Sequence, residues 1–382
     1  MTHWMRPLQL LITSWLTTGG VAGAHSIDMI RVPLDVAHYL DDWVPPQLGD
    51  RTHWKADFVV AQDGTGTHTT VQAALDALPH ASMDQDRHYV LLKPGTYREI
   101  VCLRDKVPFT LYGQGAVDEV VIVESRYNAM PKPSGQIANP CYPALSQQSY
   151  GTFGSATMNV HSSDVQLAGF TVVNDAMNKV KEGAMYPPGA GESGGAQAVA
   201  LSLKGDRIHL NDMHLLGHQD TFFADKAPNT LARIYVEQSL IAGDEDFIFG
   251  AAQLVIENSL IVSRFGRRAA GQGGHVLAPS TAPQDPFGFL VINSQMLGQP
   301  GLTPQSISLG RPWDHGVKKG EWKAGRSPNG QLTITQTQLG MHLGQWGRST
   351  SNRESSQNGK DAFRFHSFGN SFSPENPLFF IP

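Results

Sequence analysis

Six segments of similar texture recur from the middle of the chain onward, and they constrain the fold more than any other feature. Each reads as a short strand, a polar pair such as Asn-Asp, Gln-Ser or Asn-Ser, and a second short strand. Their apolar residues alternate with period two and many are β-branched, which predicts strands rather than helices. The segments begin at Val165, Ile208, Ile234, Leu254, Phe289 and Leu332.

Repeated strand–turn–strand units joined by loops of uneven length predict a solenoid of stacked coils. The starts at 208, 234 and 254 are separated by 26 and 20 residues, which suits one coil, and the longer steps predict coils that carry loop insertions. A β-sandwich with Greek-key turns is the alternative fold. Because no linker or compositional break divides the chain, we expect a single domain over residues 25–382.

The N-terminus has the pattern of a secretory signal peptide over residues 1–24. Arg6 supplies a positive charge, residues 8–16 are mostly apolar, and Ala-Gly-Ala at 22–24 matches the small-x-small cleavage pattern. The apolar stretch is too short to span a bilayer. We therefore expect an extracellular protein that begins near His25 and has no membrane anchor; a buried N-terminal strand or helix is the alternative.

The start of the mature region resembles an end cap. Val71, Ala74, Leu75 and Leu78 recur at helical spacing, so they share one face of a short amphipathic helix. Such a helix would cover the open apolar end of the first coil.

Charge and cysteine content restrict the partners and the redox state. The formal charge is −5 and no basic stripe offsets it, which argues against a nucleic-acid partner. The two cysteines, Cys102 and Cys141, form a disulfide in an exported protein or remain two separate buried thiols, and their spacing does not decide between these.

Two aspartates and an arginine stand out as candidate chemical groups. Asp220 lies in Gly-His-Gln-Asp-Thr, Asp246 begins Asp-Phe-Ile-Phe-Gly, and Arg311 lies in Leu-Gly-Arg-Pro-Trp. Two carboxylates and a guanidinium, without a cluster of metal-binding histidines, suggest acid/base and nucleophilic chemistry on a neutral electrophile. Coils of a parallel stack lie about 4.8 Å apart. If one coil separates each step, Gln197 and Gln219 join the aspartates on one face.

Five motifs follow one another along the chain: Gly95-Thr-Tyr-Arg-Glu, Gln197-Ala-Val-Ala-Leu, Gly217-His-Gln-Asp-Thr, Asp246-Phe-Ile-Phe-Gly and Leu309-Gly-Arg-Pro-Trp. These motifs, in this order, resemble those of the pectin methylesterases, carbohydrate esterases that demethylate polygalacturonate. The resemblance implies an all-β fold, a single-stranded right-handed parallel β-helix (solenoid) with a short N-terminal capping helix. It also implies a metal-independent hydrolase without a cofactor, acting on methylated pectin outside the cell, and we expect a monomer.

The resemblance also assigns roles to residues. Asp246 would be the nucleophile that attacks the C6 methyl-ester carbonyl, with Arg311 holding it ionised and aimed. Asp220 would be the general acid/base, and Gln197 and Gln219 would donate hydrogen bonds to the oxyanion. The expected substrate contacts are Trp313, Phe223, Phe249 and Thr152.

Three positions depart from the family pattern or carry no role in it. Glu245 precedes the nucleophile where the family usually has a small apolar residue, so it is either a third acid at the site or a surface acid. Strand alternation turns it away from Asp246 unless the chain bends or bulges at Gly243. Phe223 stands where tyrosine is common, and His218 receives no role.

Other functions fit parts of the sequence. Gly191-Glu-Ser-Gly-Gly195 matches the G-x-S-x-G pattern of serine hydrolases, but that pattern needs a strand before it and a helix after it, and neither is predicted. A pectate lyase or polygalacturonase would share the scaffold, and a lyase needs a calcium site that Asp244-Glu-Asp246 is too compact to establish. A non-catalytic polysaccharide-binding solenoid would not need both aspartates and both glutamines.

Overall fold

The computed structural model describes residues 35–81, 86–137, 139–143, 146–269, 273–354 and 363–373. The predicted signal peptide and its boundary at His25 lie outside these residues and stay predictions. None of the helices described there combines the length and apolar character needed to cross a bilayer.

Three parallel sheets run along the described chain. After the first strand, which pairs with the second, successive strands enter the three sheets in turn, so that each pairs with the third strand after it. The first sheet contains β1 Phe58–Val60, β2 His88–Leu92, β5 Phe109–Gly113, β8 Val165–Ala168, β11 Ile208–Asn211, β14 Arg233–Glu237, β17 Gln253–Glu257, β20 Phe289–Ile292, β23 Gln331–Thr335 and β26 Arg364–Phe368. The second contains β3 Gly95–Arg98, β6 Val120–Glu124, β9 Thr171–Asn174, β12 His214–Leu216, β15 Leu240–Gly243, β18 Leu260–Ser263, β21 Gln295–Gly298, β24 Gln338–Gly340 and β27 Ser371–Ser373. The third contains β4 Val101–Arg104, β7 Met158–His161, β10 Leu201–Leu203, β13 Phe222–Ala224, β16 Ile248–Gly250, β19 His275–Pro279, β22 Ile307–Gly310 and β25 Leu343–Gly344.

The predicted parallel β-helix is confirmed, down to the register of its repeats. The six segment starts are Cα partners of one another in the first sheet, from Val165 through Ile208 to Leu332. The β-sandwich alternative is wrong, because the strand pairs within each sheet are parallel and separated by a whole coil.

The polar pairs form the corner between the first and second sheets, which we call the first corner. In four of the pairs the first member has a left-handed backbone, as at Asn258 (φ 48°), and this turns the chain into the second sheet; in Asn211-Asp212 the left-handed residue is Asp212 (φ 52°). In the same four pairs the second member carries a hydroxyl that accepts a backbone N–H from the coil before, as when Ser239 N donates to Ser259 Oγ at 3.1 Å. This hydroxyl ladder consists of Ser239, Ser259, Ser294 and Thr337.

Inward side chains of all three sheets fill the solenoid with one apolar core. At its N-terminal end the predicted capping helix is present as α2, Val71–Asp76. Its predicted apolar face, from Val71 to Leu78, is buried. The hydroxyl of Thr70 caps the helix by accepting from Ala73 N at 3.2 Å. Two other short helices, α1 Val36–Tyr39 and α3 Gly151–Gly154, and a 3-10 helix at Arg51–His53 lie outside the coils.

The two cysteines are paired in a disulfide, Cys102–Cys141. Of the two alternatives that the spacing leaves open, the structure has the bonded one. The bridge ties the long insertion between β6 and β7 to β4.

Candidate active site

The second corner, between the second and third sheets, brings the predicted catalytic residues together. Ala198 N donates to the Gln219 carbonyl at 3.0 Å, and Asp220 N donates to the Glu245 carbonyl at 3.0 Å. Gln219 is the bridge partner of Glu245, and the same register sets Asp220 beside Asp246. Both aspartates have a left-handed backbone, with φ of 64° and 44°. Because this conformation turns the chain sharply, both side chains leave the regular strand direction at the corner.

A cavity of about 250 Å³ opens at this corner. The cavity lies where a large side chain is followed by a small one. Ala278 is in register with Phe249 one coil later, and its small side chain leaves the space unfilled. Arg311 follows β22, two coils beyond β16, and its long side chain reaches back across this space to Asp246. The cavity is lined by Thr152, Phe153, Gln197, Gln219, Asp220, Asp246, Phe249, Ala278, Arg311, Trp313 and Thr350.

Arg311 binds both oxygens of Asp246. Its Nε donates to Asp246 Oδ1 at 2.8 Å, and its Nη2 contacts Asp246 Oδ2. Two parallel bonds from a guanidinium both aim a carboxylate and favour its anionic form. Burial alone would lower the pKa of Arg311, but Asp246 and Glu245 raise it, so the arginine stays charged.

Asp220 has the opposite environment. It is 8% exposed, and it forms no ion pair within the part of the chain that the structure describes. Burial, together with the negative charges of Asp246 and Glu245, raises the pKa of Asp220 well above its usual value. A carboxyl with a raised pKa beside an arginine-bound carboxylate is the arrangement that acid/nucleophile pairs require.

Glu245 is neither at the surface nor turned away from the site. It is 7% exposed, and its carboxylate accepts from Arg268 Nη1 at 2.7 Å and from Arg311 Nη2 at 3.1 Å. Gly243 lies in β15 with regular pairing, so no bulge forms there. The left-handed turn at Asp246 itself breaks the alternation and lets two adjacent acids reach the same guanidinium.

His218 and Asp244 belong to a buried network behind the site. Asp244 accepts from Arg267 Nε at 2.6 Å and contacts His218 Nδ1 at 2.8 Å, while His218 Nε2 lies 3.1 Å from Asn178 Oδ1. Burial lowers the pKa of His218. Burial opposes the ionisation of Asp244, but Arg267 and His218 lower its pKa overall. This network fixes the corner without facing the cavity.

Gln197, Gln219 and Thr152 line the cavity as the sequence predicts. Thr152 Oγ1 accepts from Asn128 Nδ2 at 2.7 Å, which fixes its orientation. The side-chain oxygen Oε1 of Gln197 is buried without a hydrogen-bond partner in the described residues. A buried unpaired amide oxygen costs stability, so this glutamine is not placed to strengthen the fold.

Aromatic rings form one wall of the cavity. Phe223 and Phe249 belong to successive coils and Phe153 to α3, and the three rings stack with centroids 4.8 and 4.7 Å apart. Trp313 meets Phe249 edge-on at 5.5 Å and stacks on His315 at 4.1 Å. Phe249 and Trp313, both predicted substrate contacts, line the cavity.

Phe223 does not line the cavity. The sequence places it among the substrate contacts, but its ring lies between Phe153 and Phe249 and the residue is 1% exposed. Phe153 covers it from α3, in an insertion whose docking no local pattern predicts. Phe223 therefore supports the wall behind the residues that face the cavity.

The serine motif lacks the geometry that a serine hydrolase needs. Gly191 and Gly194 pair across a turn that presents Ser193 to solvent, without the strand and helix of a nucleophile elbow. Within the described ranges, no three His, Cys, Asp or Glu side chains are grouped so that they could hold a metal ion.

Sequence reasoning missed several residues at the site. Phe153, Ala278 and Thr350 line the cavity without any local signal. Arg267 and Arg268 pair with Asp244 and Glu245, and here a signal exists, because each arginine follows its acid by 23 residues, about one coil.

Comparisons with known proteins agree with this fold. A sequence profile of the family described as Pectinesterase matches residues 57–136 and 144–318. A pectinesterase of Ralstonia solanacearum is 37% identical over 340 residues, which cover 86% of this chain and 83% of that protein. Pectinesterase B of Dickeya dadantii is 34% identical over 78% of this chain and 72% of its own length.

A solved structure has the same architecture. The rice weevil pectin methyl esterase superposes with a TM-score of 0.75 at 29% identity, over 88% of this chain and 93% of its own. With most of the chain matched by the family profile and by relatives above 30% identity, this chain belongs to the pectinesterase family.

Proposed function

We propose that this chain hydrolyses the C6 methyl esters of pectin, a methylated polygalacturonate, and releases methanol and free carboxylates. The observation that carries the proposal is one cavity containing an arginine-bound carboxylate, Asp246, and a carboxyl whose pKa is raised, Asp220. Family membership supplies the substrate class, since the relatives are named pectinesterases.

Asp246 is the nucleophile of the proposed mechanism. A carboxylate oxygen attacks the ester carbonyl carbon, and the carbonyl electrons move onto oxygen. The Gln197 and Gln219 amides line the same cavity, so their N–H groups can donate to this oxyanion. Arg311 keeps the attacking carboxylate aimed without occupying both lone pairs of each oxygen.

Asp220 transfers the protons. When the tetrahedral intermediate collapses, the carbon–methoxy bond breaks and Asp220 gives its proton to the departing methoxide, which leaves as methanol. The resulting Asp220 carboxylate then takes a proton from water, and the hydroxide formed attacks the acyl group bound to Asp246. The product leaves as a carboxylic acid, which loses its proton to solvent, while Asp246 is regenerated as a carboxylate and Asp220 is protonated again.

The aromatic wall and Thr152 would hold the polymer. Trp313 and Phe249 offer apolar ring surface to a sugar, and the hydroxyl of Thr152 offers a polar contact beside them. We further propose that the protein acts outside the cell as a monomer, without membrane anchor, nucleic acid or cofactor. Mass spectrometry of secreted material should give a first residue near His25, and an intact N-terminus would contradict export.

Product analysis on highly methylated pectin tests the proposed function. The expected result is methanol release that a chelator leaves unchanged, without unsaturated sugars or new reducing ends. Unsaturated products lost on chelation would instead identify a lyase, and new reducing ends a polygalacturonase. Pectin binding without any product would leave a non-catalytic module.

A further inference from the structure

A row of side chains along the third sheet, which we call the outer row, faces away from the core with one residue from each coil. The neighbours of the row along each strand, such as Leu201, belong to the apolar core, and strand alternation turns the row outward. Phe223 and Phe249 contribute large rings, but Asn159 and Ser202 are shorter and leave space over β7 and β10. The row members are Cα partners in successive strands: Cys102, Asn159, Ser202, Phe223 and Phe249.

Tyr142 packs over the part of the outer row that has short side chains. Its hydroxyl lies 3.1 Å from Ser202 Oγ and 3.3 Å from His161 Nε2. Its ring stacks on the ring of Phe153, with centroids 5.7 Å apart and planes 27° apart. Since Phe153 stacks on Phe223 at 4.8 Å and lines the cavity, Tyr142 supports a ring that forms part of the candidate active site.

The disulfide fixes the chain next to Tyr142. Cys141 directly precedes Tyr142, and its partner Cys102 is the member of the outer row on β4. Both cysteines are buried, and neither lines the cavity. The bridge therefore ties Tyr142 to the sheet without taking part in the site itself.

The backbone that carries Phe153 has anchors of its own. Thr152 Oγ1 accepts from Asn128 Nδ2 at 2.7 Å, and Val199 N donates to Ser155 Oγ at 3.1 Å. These bonds hold the chain on both sides of Phe153, but they do not fix the rotation of its side chain. The aromatic rings next to that side chain, within the part of the chain that the structure describes, are those of Tyr142, Phe223 and His315.

We propose that Tyr142, held by the disulfide, is a positioning residue whose ring fixes the side chain of Phe153 at the cavity and so sets how tightly the cavity binds pectin. The proposal rests on the proposed function, in which this cavity holds the polymer. Without the Tyr142 ring the Phe153 side chain gains rotational freedom, and substrate binding must restrict it again. The proposed chemical steps at Asp220 and Asp246 do not involve Phe153, so affinity should change more than turnover.

Steady-state kinetics on highly methylated pectin tests the proposal by separating KM from kcat. Tyr142→Ala should raise KM about 3–10-fold, the usual contribution of an aromatic stacking contact, and leave kcat within about twofold. Tyr142→Phe keeps the ring and loses only the hydroxyl bonds, so its KM should stay close to wild type. Tyr142→Leu keeps apolar volume without a ring and replaces Tyr142→Ala if the alanine variant does not fold.

Double variants test whether the effect passes through Phe153. In the Phe153→Ala background, Tyr142→Ala should raise KM no further, because the ring that it positions is already absent. Removal of the disulfide by Cys102→Ala/Cys141→Ala should raise KM as Tyr142→Ala does, and adding Tyr142→Ala to it should have little further effect.

Tyr235 is the matched control. Its ring also lies beside a histidine, His209, at 5.1 Å, and its hydroxyl donates to Glu257 Oε2 at 2.8 Å. It belongs to β14 in the first sheet and does not line the cavity. Tyr235→Ala should lower the unfolding temperature and leave KM unchanged.

Unchanged KM in a folded Tyr142→Ala, or an equal rise in Tyr235→Ala, would overturn the proposal. An additive effect of Tyr142→Ala in the Phe153→Ala background would also overturn it, as would a KM in Tyr142→Phe as high as in Tyr142→Ala. A wild-type KM without the disulfide would overturn the role given to the bridge.

The mobility of the Phe153 ring tests the positioning step without substrate. The NMR order parameter of this ring, in a protein with labelled phenylalanine, should fall in Tyr142→Ala and stay at the wild-type value in Tyr235→Ala. An unchanged order parameter in Tyr142→Ala would overturn the proposal. A protein that releases no methanol would refute the proposed function, and the ring mobility would still decide whether Tyr142 positions Phe153.

Discussion

The two polar corners of the solenoid use the same backbone bend for different purposes. At the first corner a left-handed residue such as Asn258 turns the chain, and the next side chain, Ser259, joins the hydroxyl ladder. At the second corner the left-handed residues are Asp220 and Asp246 themselves, and their side chains face a cavity.

The corners also differ in how well their polar groups are satisfied. Hydroxyls of the ladder both donate and accept, as Ser259 does with Glu257 and Ser239. At the second corner Gln197 Oε1 is buried and unpaired among the described residues, and Asp220 lacks a cation. The same coil repeat thus satisfies the polar groups of the first corner and leaves polar groups of the second corner without partners, which is common at functional sites.

Removal of the nucleophile at the second corner should have the largest effect on kcat. Asp246→Ala should lower kcat by a factor of about 10⁴ or more, because it removes the carboxylate that Arg311 holds through two contacts in the cavity. Methanol release from highly methylated pectin measures it. Ser193→Ala is the control and should keep wild-type activity, and an equal loss in both variants would reject the assignment.

Removal of an oxyanion donor should have a smaller effect. Gln219→Ala and Gln197→Ala should each lower kcat by about 10²–10³ and change KM little, since their amides serve the transition state. Steady-state kinetics separates the two constants. A rise confined to KM would make both glutamines ground-state binders.

The smallest expected effect lies at the first corner and should appear in stability alone. Ser259→Ala leaves the buried Ser239 N–H without its acceptor, which costs about 1–3 kcal/mol of unfolding free energy. Denaturant unfolding measures this, while kcat should stay at the wild-type value. Loss of activity in the folded variant would show that the two corners are not separate in function.

The sequence predicts what depends on periodicity. The six segment starts share one register because apolar alternation and the polar pairs repeat with every coil. The capping helix follows from its apolar spacing. The grouping of Gln197, Gln219, Asp220 and Asp246 follows once a coil length is known.

Structural features that depend on local bends or on insertions cannot be predicted from the periodicity of the sequence. Alternation turns Glu245 away from Asp246, but a single left-handed residue reverses that expectation. The sequence predicts Phe223 as a substrate contact, but in the structure Phe153, which belongs to an insertion, covers its ring. A search for opposite charges one coil apart would have found Arg267 and Arg268.

One variant tests the contrast between the corners most directly, because it separates activity from stability. Asp220→Asn keeps a residue that tolerates the left-handed turn but removes the proton donor, so kcat should fall by about 10²–10⁴. Below about pH 4 Asp220 is protonated in both the folded and unfolded states. As pH rises toward its raised folded pKa, only the unfolded state loses the proton, so the wild type loses stability and the variant does not.

The measurement is methanol release and thermal unfolding of Asp220→Asn and wild type, at neutral pH and near pH 4. We predict that activity falls while Tm at neutral pH rises by roughly 2–4 °C, and that the difference in Tm shrinks toward pH 4. A Tm that falls together with activity would show that Asp220 stabilises its corner as Ser259 does, and would contradict its assignment as the proton donor.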